Sequence, residues 1–287
     1  MPLSGLAETA PAKINLTLRV VARRDDGYHT LESLVAFADV TDRLTLEPSD
    51  ATTLSVGGEF AAASGPAADN LVMKAAAALR TAVSGLRTGH FALEKSIPVA
   101  AGLGGGSADA AAALRLLAAS NGLALTDPRL LAAARQTGAD VPVCLDPVAK
   151  IMRGIGEELS PPLKLPKLDA VLVNPGVAVA TKDVFAGFDA RYVGTKPIGD
   201  VPCGREPFIA WLGGMRNDLT EAACRKAPAI RDVLAALSSA PGSRLARMSG
   251  SGATCFALFD EAEEASDAAA QLRAAHPSWW VRTTVLG

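Results

Sequence analysis

Four glycines within five positions, Gly102 and Gly104 to Gly106, interrupt the stretch Pro98-Val-Ala-Ala-Gly-Leu-Gly-Gly-Gly-Ser-Ala-Asp109. Backbone this free cannot form a helix or strand interior, so the chain must turn there. Directly afterwards, Ala108 to Ala119 is a run of strong helix formers, ended by the C-cap pair Asn121-Gly122. A glycine loop feeding a helix start is physically an anion site. The glycines let backbone N–H groups turn inward at close range, and the helix dipole adds positive potential at the same point. The plainer reading is a flexible surface loop, but alanine-rich sequence on both sides and the fixed helix start favour a packed one. It is not a Walker A loop, since no Gly-Lys-Ser/Thr closes it. Nor does it open a βαβ unit as G-x-G-x-x-G with an acidic residue about 20 positions on. Ser107 at the helix start can offer its hydroxyl to a phosphate or to Mg²⁺, or can cap the helix, and these roles are compatible.

Around this loop the pattern alternates between strand and helix. Ile14, Leu16, Leu18 and Val20 alternate with Asn15, Thr17 and Arg19, which predicts a half-buried strand, and Asp26-Gly27 reads as a turn. Leu31 to Ala38, Arg43 to Glu47, Thr52 to Val56 and His90 to Glu94 are further strand candidates. Asp69 or Asn70 can cap a helix whose apolar face is Leu71, Val72, Ala75, Ala76, Leu79 and Val83. A second helix is bracketed by Asp127-Pro128 and Gly138. Ser160 to Lys167 is a proline-rich break and is taken as the domain boundary. Beyond it, Asp169 to Val173, Ala253 to Phe259 and Trp280 to Leu286 read as strands. Asp218 to Leu237, interrupted at Pro228, and Glu261 to Ala275 read as helices. Strands and helices without strict βαβ alternation predict an α+β fold.

Composition narrows the class. A chain of 287 residues supports one large or two ordinary domains. Lys+Arg 28 against Asp+Glu 30 gives a net charge of -2, without the basic excess usual in general nucleic-acid binders. No apolar stretch approaches a bilayer span, and the first residues show no secretory leader, so a soluble, cytoplasmic protein is expected. Cys144, Cys203, Cys224 and Cys255 form no CxxC pair, and His29, His90 and His276 are scattered. Reduced, mostly buried thiols are expected rather than a zinc site or disulfide framework.

Three segments resemble the GHMP kinases: Pro11-Ala-Lys-Ile-Asn-Leu16, Pro98 to Ala108, and Ser249-Gly-Ser-Gly-Ala-Thr254. Arg24-Asp-Asp-Gly-Tyr-His-Thr-Leu31, Asp69-Asn-Leu71 and Thr137-Gly-Ala-Asp-Val-Pro-Val143 extend the match over most of residues 11 to 160. The second half matches more thinly, through Gly154-Ile-Gly-Glu157, Asn217-Asp-Leu219 and Ser249 to Thr254. Val99-Ala100-Ala101 departs from the pattern, where the family often carries more glycine. The resemblance implies a two-domain architecture. A ribosomal-protein-S5-domain-2-like, ATP-binding domain would span 1–160 and a ferredoxin-like domain 161–287, with the site between them. It implies an ATP-dependent kinase, with Mg²⁺ arriving on ATP. Within the family the match points to phosphorylation of the 2-hydroxyl of a cytidine-diphosphate-linked methylerythritol in non-mevalonate isoprenoid synthesis. The expected partner is thus a nucleotide-linked polyol, with no nucleic acid and no membrane. Another small alcohol, or a non-catalytic nucleotide-binding role, is the alternative.

Several residues can be placed in roles. The resemblance implies ATP binding at Pro98, Val99, Ala100, Ala101, Gly102, Leu103, Gly104, Gly105, Gly106, Ser107 and Ala108, with Ser107 the candidate Mg²⁺ ligand. Asp140, fixed between a helix end and Pro142, can accept a hydroxyl proton, or can be a turn aspartate bonding its own backbone; the resemblance favours the first. Lys13 can pair with it and stabilise charge on the reacting oxygens, or can be a solvated strand-end lysine. Asn15 shares a strand face with Lys13. Tyr28 can stack on cytosine and His29 can bond its polar edge, with Phe185 for the opposite face or for core packing. Lys95 is expected to meet substrate phosphate or cytosine. Ser249 to Thr254, with two glycines and three hydroxyls, suits a second phosphate cradle or a tight turn. Ser251 lies directly between two glycines and does not fit a hydrolase elbow.

Overall fold

The computed structural model describes residues 5–25, 27–188 and 197–287, so Asp26 of the expected turn lies outside the described residues. The chain forms two compact units: one of the chain up to Lys13 with Val40–Val99 and Gly104–Pro147, the other of Ile14–Asp39, Ala100–Leu103 and Val148–Gly287. These segments interleave, whereas the sequence reading placed a single cut near residue 160. The reason is a long strand, β3 (His29–Pro48), which belongs to one unit in its first half and to the other in its second. Two strand candidates, Leu31 to Ala38 and Arg43 to Glu47, are therefore one element, because nothing in Asp39-Val-Thr-Asp42 breaks an extended backbone.

In the first unit β3 pairs antiparallel with β5 (Gly89–Glu94) over Arg43 to Pro48, and β4 (Thr53–Gly57) adds parallel to β5. β1 (Leu6–Asn15) also pairs with β3. Helix α1 (Leu71–Ala82) starts where Asn70 accepts a bond from Val72 N–H, so the cap is Asn70 rather than Asp69. It buries Val72, Ala75, Ala76 and Leu79, the expected face. α3 (Pro128–Thr137) has Asp127 as its cap, Pro128 in its first turn and Gly138 beyond its end, as the sequence predicts.

The helix after the glycines, α2 (Gly105–Asn121), begins three residues earlier than predicted. Gly104 takes the left-handed conformation at φ 62°, which turns the chain sharply enough for Gly105 to be helical. α2 packs against α1 and α3, and against α4 (Val141–Cys144). Its alanines permit this close approach on nearly every side. Arg115 of α2 bonds Glu8 and Thr9 O of β1 and Cys144 O of α4 at 2.7–2.9 Å, fastening the elements that carry Lys13 and Asp140.

The second unit contains β2 (Arg19–Arg23) and β6 (Lys150–Gly154), each antiparallel to the first half of β3. The two-residue β7 (Glu158–Leu159) pairs with β6. The rest of this unit runs β8 (Leu168–Asn174), α5 (Thr181–Ala186), α6 (Arg205–Gly213), α7 (Thr220–Lys226), α8 (Ala229–Ser239), β9 (Leu245–Met248), β10 (Cys255–Phe259), α9 (Ala262–Ala275) and β11 (Trp280–Leu286). The antiparallel order β11-β8-β10-β9 is that of a ferredoxin-like sheet. One core of Val171, Val173, Leu219, Ile230, Val233 and Phe259, among others, seals it to its helices. Among the described residues no helix is long and apolar enough to cross a membrane. Cys144, Cys224 and Cys255 are buried and Cys203 is exposed.

Candidate active site

The strand from Ile14 to Val20 is not half-buried. Its apolar residues are buried, and so are the alternate Asn15 and Thr17 and the preceding Lys13, while Arg19 is only partly covered. A buried polar side chain needs a partner, and each has one. Thr17 Oγ1 accepts from Leu34 N–H, and the Asn15 amide donates to Ser33 Oγ at 2.7 Å. Lys13 Nζ donates to Asp140 Oδ2 at 2.9 Å. β1 itself stops at Asn15, and Leu16 to Leu18 lie between strands.

Lys13 and Asp140 belong to the first unit and meet from opposite ends of it in sequence. Asp140 occupies the N-cap position of α4, yet its carboxylate makes no cap bond there. It turns to Lys13 instead, so the picture of a turn aspartate bonding its own backbone does not describe it. The Asp140 side chain stays 37% exposed while that of Lys13 is 5% exposed. The carboxylate thus has one face on an ammonium and another open to an incoming group. Gly104, the last glycine before α2, packs on the lysine of this pair: a Cβ there would stand 3.2 Å from Lys13 Cε.

At the same place α2 begins. Ala108 N–H makes the bond to Gly104 O, so the N–H groups of Gly105, Gly106 and Ser107 stand ahead of the helix's own ladder. They present the positive end of a helix of 17 residues to the space beside Lys13. Ser107 is in the first turn and partly exposed, and Gly104 holds the cap position, so capping is not its role. Ala101, Leu103 and Ala108 are buried, so any part they take in binding is through backbone.

One expectation is corrected. Lys95 does not face a ligand. It is buried, and its ammonium is bonded to Asp42 and, at 2.8 Å, to Asp109 Oδ2. Burial pushes the Asp109 carboxyl up to about 7, against the opposing pull of Lys95 and with the Asp42 charge adding to the rise. Burial alone would lower Lys95, but Asp109 and Asp42 outweigh it and hold it above its ordinary value. In Ser249 to Thr254, read as a phosphate cradle or a tight turn, the hydroxyls are bonded within the protein. Ser249 Oγ takes a bond from Asn15 N–H and donates to Gly102 O, Ser251 bonds Thr181, and Thr254 bonds Asn174. Thr254 N–H bonds Ala101 O. This segment braces Ala100–Leu103, the loop portion in the second unit. The fit is tight: Gly102 has φ 76°, and a Cβ there would strike Ser249 O. Ala100 adopts φ 52°, a conformation that favours glycine, at a position where the resemblance led us to expect more glycine.

The second unit holds a cleft of about 910 Å³ lined by Tyr28, His29, Phe185, Phe188, Arg23 and Lys182, among others. The His29 ring stacks on Phe185 with centroids 5.1 Å apart and meets Phe188 edge-on at 6.1 Å. Burial first, and then the Arg23 charge, hold the His29 imidazole below its ordinary value. A neutral imidazole offers one donor and one acceptor, which suits the edge of a nucleobase. Tyr28 is 60% exposed at the cleft. Phe185 is therefore both a cleft residue and packed against the unit's core. Asn15 is part of a buried network rather than a cleft wall. Asp42, Asp109, Arg115 and Phe188 escaped sequence reasoning. Only Asp109, inside the glycine motif, carried a signal that could have found it.

Comparison with known proteins fits this arrangement. Residues 70–146 match the family model "GHMP kinases N terminal domain" and residues 208–278 match "GHMP kinases C terminal". The chain is 54% identical to a 4-diphosphocytidyl-2-C-methyl-D-erythritol kinase of Rhodopseudomonas palustris (strain BisB18), covering 100% of this chain and 97% of that protein. It is 55% identical to the enzyme of the same description from Nitrobacter hamburgensis, over 98% of this chain and 95% of that one. A crystal structure of 4-(cytidine 5'-diphospho)-2C-methyl-D-erythritol kinase superposes with a TM-score of 0.81 at 35% identity, over 98% of this chain and 99% of the other.

Proposed function

The chain belongs to the GHMP kinases, and from that premise we propose that it phosphorylates the 2-hydroxyl of 4-diphosphocytidyl-2-C-methyl-D-erythritol with ATP as donor. The observation that carries this reading is the Lys13–Asp140 pair under Gly104, beside the free first turn of α2. Polyphosphate is held by backbone N–H groups of Gly104 to Ser107 and by the α2 dipole, so a chain without basic excess can still bind it. Asp140 orients the substrate hydroxyl and takes its proton as the new O–P bond forms. The bond from the γ-phosphorus to the bridging oxygen breaks, and ADP leaves. Phosphoryl transfer passes through a loose transition state, so positioning and charge stabilisation matter more than strong base strength. Lys13 supplies the positive charge beside the reacting oxygens.

Mg²⁺ reaches such sites largely on the phosphates, with one or two protein oxygens completing its shell. The Ser107 hydroxyl, in the first turn and partly exposed, fits that part. When bound, the metal neutralises charge on the transferring group. The cleft of the second unit takes the cytosine: His29 reads its polar edge, Tyr28 stacks, and Phe185 holds the His29 ring in place. Along the sequence, we assign ATP binding to residues 1–160 and the ferredoxin-like domain to 161–287.

The test is a coupled assay for ADP release. ATP consumption should depend on the cytidine-linked polyol. No turnover with that substrate, alongside turnover of mevalonate or homoserine, would move the function to another branch of the family.

A further inference from the structure

Beneath the start of α2 lies a charged cluster that the phosphoryl-transfer chemistry does not use. Asp42, Lys95 and Asp109 are each almost fully buried, and they come from three separate places: β3, the segment after β5, and α2. Two carboxylates and one ammonium in a closed interior contribute little to stability. Well-packed apolar residues of similar volume serve as well or better, so the cluster calls for another explanation.

Its connections supply one. Asp42 Oδ1 accepts the N–H groups of Ser96 and Ile97 at 2.6 and 2.9 Å, the amides leading into the glycine loop. Its other oxygen bonds Lys95. The same ammonium reaches Asp109 Oδ2 on α2, at the loop's exit. It also lies directly under the helix start, where a Cβ on Gly105 would stand 3.0 Å from Lys95 Nζ. The lysine backbone is pinned as well. Lys95 N–H bonds Gly57 O at 2.8 Å, Lys95 O accepts Phe60 N–H at 3.0 Å, and Gly58 packs so closely that a Cβ would come within 2.6 Å of Lys95 N.

We propose that Asp109, through Lys95 and Asp42, is a positioning residue for the phosphoryl donor: the three clasp both ends of the glycine loop and fix the direction in which the first-turn N–H groups of α2 point. Asp109 does not touch ATP. It sets the ammonium that sets Gly105, and small misplacements of binding groups are costly. The clasp acts on the nucleotide and not on the cytidine cleft. This inference rests on the reading of the loop as the ATP phosphate site.

Titration calorimetry with a non-hydrolysable ATP analogue and, separately, with cytidine diphosphate tests it on the whole chain. Asp109→Leu, with the same branched side-chain skeleton, removes the clasp without leaving a cavity. It should weaken the ATP analogue by about tenfold or more and leave cytidine diphosphate within about twofold of wild type. Asp109→Asn keeps an acceptor for Lys95 and should restore most of the lost affinity, which a general packing defect would not allow. If the leucine variant does not fold, Asp109→Ser, too short to reach Lys95, carries the same expectation. Unchanged analogue affinity in the leucine or serine variant, or equal weakening of both ligands, overturns the clasp. A wild-type protein that fails to bind the analogue at all overturns the functional reading instead.

Discussion

Lys13 and Lys95 both meet aspartates within the first compact unit, and the two sites differ chiefly in what can reach them. At Lys13–Asp140 the carboxylate side chain is 37% exposed. At Lys95 the two carboxylate side chains are 0% and 2% exposed. The residue types are the same and both ammoniums are buried. The open carboxylate can receive a hydroxyl and its proton, because one face is free. The closed ones can only hold backbone in place. The two sites thus differ in access rather than in residue type.

The comparison breaks if the two lysines respond alike to the same change. Lys13→Met should lower kcat/KM by roughly 10²- to 10³-fold through loss of charge beside the reacting oxygens. Its urea midpoint should barely move, because Asp140 can be rehydrated. Lys95→Met leaves two buried carboxylates uncompensated and should lose about 3–5 kcal/mol of stability in the same denaturation. A variant pair with the opposite pattern would exchange the roles assigned here.

The cytidine cleft sharpens the contrast with a smaller effect. Tyr28→Ala should weaken cytidine diphosphate by about 1–3 kcal/mol in calorimetry, the range for base–aromatic stacking, and leave ATP-analogue affinity unchanged. The pH dependence there follows from His29. Its folded pKa lies below the ordinary imidazole value, so the neutral, base-reading form persists as pH falls to that value. Cytidine affinity should be flat from about pH 8 to about pH 6.5 and decline only below. The unfolded chain takes up a proton at higher pH than the folded one, so His29 also withdraws stability only as pH falls below the ordinary value. The smallest effect is at the loop itself. Ala100→Gly relieves a left-handed alanine but loosens the unfolded chain, and thermal denaturation should show a change within about 1 kcal/mol.

The same distinction governs what could be read from sequence. Local signals held well: β11 matches its predicted span, α3 is bracketed as expected, and Asn70 was one of two candidate caps. Tyr28, His29 and Phe185 do meet in one cleft, and Lys13 and Asp140 do pair. Failures arise where a distant partner decides. Asn15 and Thr17 looked like the wet face of a strand, but Ser33 and Leu34 N–H pair with them inside the protein. Lys95 beside the glycines looked like a ligand for phosphate, and nothing local indicates Asp42, on another strand. α5, α6, β6 and β9 went unread because short segments such as Lys150-Ile-Met-Arg-Gly154 carry no clear period.

The central claim is that Asp140 is the reacting carboxylate. Single-turnover phosphoryl transfer from ATP to 4-diphosphocytidyl-2-C-methyl-D-erythritol by Asp140→Asn, at saturating concentrations of both ligands, tests it most directly. The asparagine keeps the size and a hydrogen-bond acceptor for Lys13 but cannot take the proton. The transfer rate should fall by about 10²- to 10⁴-fold with ATP-analogue affinity near wild type. A rate within a few-fold of wild type would contradict the assignment.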